Sequence, residues 1–147
     1  MQPRRRFAHA VVLAALPLAA PAQIAGPLSG PWPGPLPGTE AGVPQRGQAI
    51  VLNRQLGLCT LCHSVPFPLG TPQGNLGPPL NGVGARLSAG QLRQKLINPL
   101  RDQPDSLMPA YHRTDHLQQV GSRWQGQPLL NAQQIEDVVA YLASLQP

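Results

Sequence analysis

The sequence predicts an all-α fold of three to four helices joined by long loops, and three observations carry that expectation. Three segments repeat apolar residues at helical spacing and begin or end on matching cap residues. No stretch alternates apolar and polar residues over a useful length, so strands are not expected. The segments between the helices, 64–87 and 101–130, are rich in Gly and Pro and longer than a small self-sufficient core usually carries. So few helices make a thin core, and a large apolar ligand would supply the surface the helices lack.

The first helix is expected over Arg46 to Leu58, where Ile50, Val51, Arg54 and Leu58 leave one apolar side and the chain runs straight into two cysteines. The second starts at Ser88-Ala89-Gly90-Gln91, a capping box in which Gln91 can reach back to the Ser88 backbone. Leu92, Leu96 and Ile97 form its face and Pro99 stops it. The third opens on Asn131 as a side-chain cap, and Ile135, Val138, Val139, Leu142 and Leu145 give the period of an amphipathic helix. Glu136 and Asp137 are read as charges favoured by the macrodipole near its N-terminus.

Ahead of these helices the composition changes twice. Met1-Gln2-Pro3-Arg4-Arg5-Arg6, the apolar run Phe7 to Ala20 and Ala20-Pro21-Ala22 read as the three parts of a signal peptide cut after Ala22. Arg4-Arg5-Arg6-Phe7 also fits a twin-arginine signal, which exports proteins already folded, but the general secretory route is the preferred reading. No other segment is long and apolar enough to cross a membrane, so a periplasmic protein without a membrane span is expected. Residues 23–45 form a Pro/Gly-rich arm in which Glu40 is the only charge; its readings are a spacer and a segment that wraps a partner. The folded domain is expected over 46–147. The formal charge of +5 exceeds that of the mature chain, because three basic residues leave with the signal. What remains is a weak field with no basic run and no interleaved aromatics, which excludes a nucleic-acid partner.

Both cysteines of the chain lie in Cys59-Thr60-Leu61-Cys62-His63. Two cysteines in an exported protein more often pair as a disulfide, but the adjacent histidine changes the reading. Each thiol can add to one vinyl group of a haem, the two-residue spacing matches the vinyls, and His63 then reaches the iron. The expected cofactor is therefore one covalent haem c, held by Cys59, Cys62 and His63. An electron carrier needs a second axial ligand, since an open iron position invites oxygen or peroxide chemistry. Met108 in Asp105-Ser106-Leu107-Met108-Pro109 is favoured, being the only methionine after the signal and sitting in a proline-bounded loop; His112 and His116 are the competing candidates. Trp124 is a candidate for lining the haem crevice, Arg86 and Arg113 for pairing with propionates, and Tyr111 is read as an ordinary buried aromatic.

Leu76-Gly77-Pro78-Pro79-Leu80 resembles a segment of class I cytochromes c whose proline carbonyl accepts from the proximal histidine, which would make Pro78 the residue that orients His63. Gly47 with Tyr141 or Leu142 likewise resembles the crossing of the first and last helices in that fold. Across about Gly47 to Leu145 the chain resembles the SoxX family, the monohaem subunits of SoxAX complexes. The runs that carry this are 53–59, Cys62-His63-Ser64 with Pro66-Phe67-Pro68, 74–78, 108–115 and 134–142. The resemblance implies a class I cytochrome c-like fold with His63 and Met108 on iron. It also implies a periplasmic heterodimer with a SoxA-like cytochrome c subunit, in which the partner couples thiosulfate oxidatively to a cysteine of a sulfur-carrier protein of the SoxYZ type. That is an L-cysteine S-thiosulfotransferase reaction. This chain would accept the electrons, pass them to a downstream acceptor cytochrome, and carry no catalytic residue. The alternative left open is a free-standing periplasmic electron shuttle.

Overall fold

A computed structural model describes residues 34–115 and 117–147. The expected signal peptide, the first part of the Pro-rich arm and His116 lie outside the described residues. Among the described residues there are four α-helices, α1 (Pro44–Leu52), α2 (Val83–Arg86), α3 (Ala89–Ile97) and α4 (Ala132–Ser144), with short 3-10 turns at Cys59–Leu61, Pro99–Arg101 and Ser122–Trp124. Among the described residues there is no strand.

Helix α1 begins earlier and ends sooner than 46–58. Pro44 occupies its first turn, where a missing N–H costs nothing, and Asn53 stops it. The Asn53 side-chain oxygen accepts from the N–H groups of Gln55 and Leu56 at 2.9 and 3.0 Å. This Asx turn outcompetes another helical turn. The chain then bends through Leu58 at φ 59°, a left-handed conformation that costs a non-glycine residue about 1–2 kcal/mol. That bend delivers Cys59 to the start of the first 3-10 turn.

Both expected caps are reciprocal capping boxes. In α3, Gln91 N–H donates to Ser88 Oγ at 3.3 Å and Ser88 N–H to Gln91 Oε1 at 2.8 Å. In α4, Asn131 and Gln134 exchange the same pair at 2.9 Å each. The core gathers Ile50 and Val51 of α1, Leu92 and Leu96 of α3, and Ile135, Val138, Val139, Tyr141 and Leu142 of α4, with Tyr111 and Leu130 from the loops. Complete burial of a side chain such as Ile135 or Val138 contributes roughly 1.5–3 kcal/mol.

Helices α1 and α4 cross at Gly47. A Cβ there would overlap the Asp137 carbonyl and lie 2.9 Å from the Tyr141 Cβ. Replacing glycine by alanine in a helix ordinarily gains about 0.5–1 kcal/mol, but here the obstacle is backbone, and overpacking of this kind costs typically 1–3 kcal/mol. Gly47→Ala is therefore expected to be net destabilising by about 2 kcal/mol. A lowered denaturant midpoint at unchanged slope is the check.

Glu136 and Asp137 are not dipole partners as expected. They lie beyond the first turn, where that effect fades, and both are buried. Arg93 of α3 grips Glu136 through two bonds of 2.8 and 2.6 Å. Arg46 of α1 grips Asp137 the same way at 2.7 and 2.8 Å. The remaining lone pairs accept from the arm: Leu36 N–H donates to Glu136 at 3.0 Å and Val43 N–H to Asp137 at 2.8 Å, while Glu40 N–H donates to Gln133 Oε1 at 2.9 Å. The described part of the arm thus lies along α4 of its own chain. Burial pushes both carboxyls up, yet the hydrogen bonds from the arginines and from these N–H groups outweigh it and leave each below the usual carboxylate range.

Candidate haem site

Cys59, Cys62 and His63 share one tight turn, closed by Cys62 N–H to Cys59 O at 3.1 Å and His63 N–H to the same carbonyl at 2.9 Å. Both sulfurs are free thiols rather than a disulfide. Cys59 packs against the core, and burial pushes its thiol up to about 11, with the Tyr111 hydroxyl drawing it partly back. A sulfur held protonated and apolar in this way suits a site that uses it as a carbon-bonded anchor rather than as a thiolate.

The segment 74–80 is laced along the turn by Gly74 N–H to Thr60 O, Gly77 N–H to Cys62 O and Leu80 N–H to Ser64 O, at 3.0, 2.9 and 2.9 Å. This lacing puts the Pro78 carbonyl 2.7 Å from His63 Nδ1. A carbonyl only accepts, so Nδ1 must hold the proton and Nε2 keeps its lone pair for a metal. Gly77 makes the arrangement possible, because a Cβ there would sit in the imidazole, 2.6 Å from Nδ1 and 2.8 Å from Nε2. Arg86 braces the same bend with bonds of 2.7 Å to Pro79 O and 2.5 Å to Asn81 O. Its guanidinium thus bonds backbone here, a contact that the sequence does not announce beside its candidacy for a propionate.

Met108 is half-buried against the core cluster, and its N–H donates to Ser106 Oγ at 3.2 Å. The neighbouring Leu107 is 80% exposed. His112 directs Nδ1 at the Leu130 carbonyl at 3.0 Å. Trp124 lines an open groove of about 290 Å³ with Pro109, Ala110, Arg113 and Leu129. Arg123 lies over its ring at 4.9 Å, and Arg113 bonds Asp115 at 3.1 Å. Among the described residues no group of three or more His, Cys, Asp and Glu side chains forms a metal cage.

These residues fit a haem c. Two free sulfurs with two residues between them, an imidazole with one nitrogen committed to a carbonyl and the other open, and a glycine that clears space for that ring are what covalent attachment with histidine ligation requires.

Comparison with known proteins agrees. The family model for cytochrome c matches residues 44–146. Among solved structures, a chain of the crystal structure of SoxXA from P. pantotrophus is 35% identical, with a TM-score of 0.67 over 74% of this chain and 85% of that one. None of the curated proteins compared with the chain matches it. The all-α fold of the described residues is that of the matched structure, and a covalently bound haem c goes with the family model. Over more than two thirds of its length, then, the chain belongs to the cytochrome c family.

Proposed function

We propose that this chain is the electron-transfer subunit of a SoxXA-type complex, exported to the periplasm, with its haem c attached through Cys59 and Cys62 and ligated by His63 and Met108. The observation that carries the reading is the commitment of both cysteines to a single turn beside a histidine whose free nitrogen is Nε2. The likeness to a SoxXA chain supports the choice of complex.

When bound, the haem supplies a one-electron acceptor. The protein's part is to hold it: two thioethers fix its position, and the Pro78 carbonyl orients and enriches the imidazole. A histidine paired with a thioether ligand raises the reduction potential, which suits acceptance of electrons.

Coupling thiosulfate to a carrier thiol forms one S–S bond, releases the thiol proton and gives up two electrons. This chain has no third cysteine to carry the sulfur. The bond-making therefore belongs to a cysteine on a SoxA-like partner, and a SoxYZ-type carrier accepts the product. Cys59, Cys62, His63 and Met108 would hold one haem that could accept one of these electrons at a time, so the other would need a second redox centre or reoxidation of this chain by a downstream cytochrome between the two transfers.

Stopped-flow mixing tests the assignment. Thiosulfate with the carrier protein is expected to reduce this haem only when the cysteine-bearing cytochrome partner is present. Equal reduction of the isolated chain, or none in the company of that partner, removes the assignment.

A further inference from the structure

Met108 sits in a loop that holds itself loosely. From Gln103 to Ala110 the hydrogen bonds among the described residues are local: Gln103 N–H to Pro99 O at 3.0 Å, Ser106 N–H to Gln103 O at 3.0 Å and Met108 N–H to Ser106 Oγ at 3.2 Å. A thioether is a weak ligand, and a loop of this kind leaves its approach to a metal poorly defined. Three residues after Met108 the situation reverses. Tyr111 N–H donates to Leu96 O and Tyr111 O accepts from Leu130 N–H, both at 2.9 Å, which fixes the backbone between α3 and the start of α4. Its ring is 3% exposed, and its hydroxyl crosses the core to donate to the Gly57 carbonyl at 2.6 Å.

Gly57 is no arbitrary acceptor. It lies two residues before Cys59, is itself buried, and is held by its own N–H to Asn53 O at 2.9 Å. The Cys59 sulfur is 3.1 Å from the same carbonyl. A free thiol shares that acceptor with the tyrosine. A thioether has no proton to give, so after attachment the hydroxyl is the donor of the two that remains.

We infer that Tyr111 is a positioning residue for iron ligation, its hydroxyl tying the methionine loop to the haem-attachment turn through Gly57 and so setting where Met108 presents its sulfur. The inference rests on Met108 being the sixth ligand, as proposed above. It assigns the tyrosine a task beyond filling the core, since a ring alone would bury the same surface without joining the two halves of the site.

Tyr111→Phe removes one oxygen and keeps the ring, so holoprotein is expected to form with its haem attached. In the ferric state the far-red sulfur-to-iron band should weaken, and cyanide binding should accelerate by about tenfold, the equivalent of one lost buried hydrogen bond. Val139→Ala, a core truncation at a 3% exposed position of α4, controls for loss of stability alone. It is expected to lower Tm while leaving both readouts near wild type. The proposal is overturned if Tyr111→Phe binds cyanide within about twofold of wild type, or if Val139→Ala accelerates binding as much at matched Tm. Met108→Ala separates the two readings: if the wild-type band survives that change, the ligand assignment fails whatever Tyr111 does. If Met108→Ala abolishes the band and Tyr111→Phe leaves it intact, the positioning role alone fails.

Discussion

Replacing Cys59 and Cys62 together by alanine is expected to convert a haem that survives acidified acetone into one that washes out completely. The two thioethers are the covalent part of the attachment, and His63 alone offers a reversible bond that is lost when its ring is protonated. The reduced haemochrome spectrum should also move to the red, because the vinyl groups stay conjugated. Single variants should retain one thioether and fall between. Since so few helices and such long loops make a thin core without the cofactor, the double variant should lose helical signal as well. Covalent haem persisting in it would show that the turn at 59–63 is not the attachment site.

The second large effect concerns Glu136. Its ion pair with Arg93 is almost completely enclosed, the two side chains being 5% and 7% exposed. Removing one partner of such a pair strands a buried charge and costs roughly 3–5 kcal/mol. Glu136→Ala also orphans the Leu36 N–H, so the upper half of that range is expected, more than about ten degrees of Tm in a domain of this size. Glu136→Gln keeps the shape and one acceptor and should lose less. The same site sets an acid limit. A carboxyl whose folded value is depressed stabilises fully above the ordinary carboxylate range and loses that contribution as pH falls through the depressed value. Stability of the native chain should therefore drop below about pH 4, and the drop should be shallower in Glu136→Gln. Urea midpoints measured between pH 3 and 7 compare the two curves.

What the sequence makes legible here is what it encodes locally. The caps at Ser88 and Asn131 each need a partner three residues away, and both form as expected. The attachment motif is five consecutive residues. Pro78, fifteen residues from His63, came within reach only through a family resemblance, and the structure sets its carbonyl against the ring. The failures have a common cause. Asn53 ends α1 because a side chain competes with the backbone, a choice that apolar spacing does not register. The acids of α4 read as macrodipole partners from sequence because the groups that grip them lie far off: from Glu136, Arg93 is 43 residues away and Leu36 is 100. Tyr111 and Gly57, 54 apart, are joined by one oxygen that no periodicity announces. A segment of prolines and glycines reads as a spacer because it has no apolar face, yet it needs only backbone N–H groups to dock.

That docking moves the start of the domain. The cytochrome c match begins at Pro44, but Leu36, Glu40 and Val43 each close an acceptor on α4 before that point. A gene trimmed to the homology limits would encode a protein whose buried carboxylates open onto water along one edge, and whose Arg46 and Arg93 then carry those charges alone. Recombinant boundaries belong ahead of Leu36, and a shortened chain that expresses poorly would be reporting a missing strap rather than a faulty haem site.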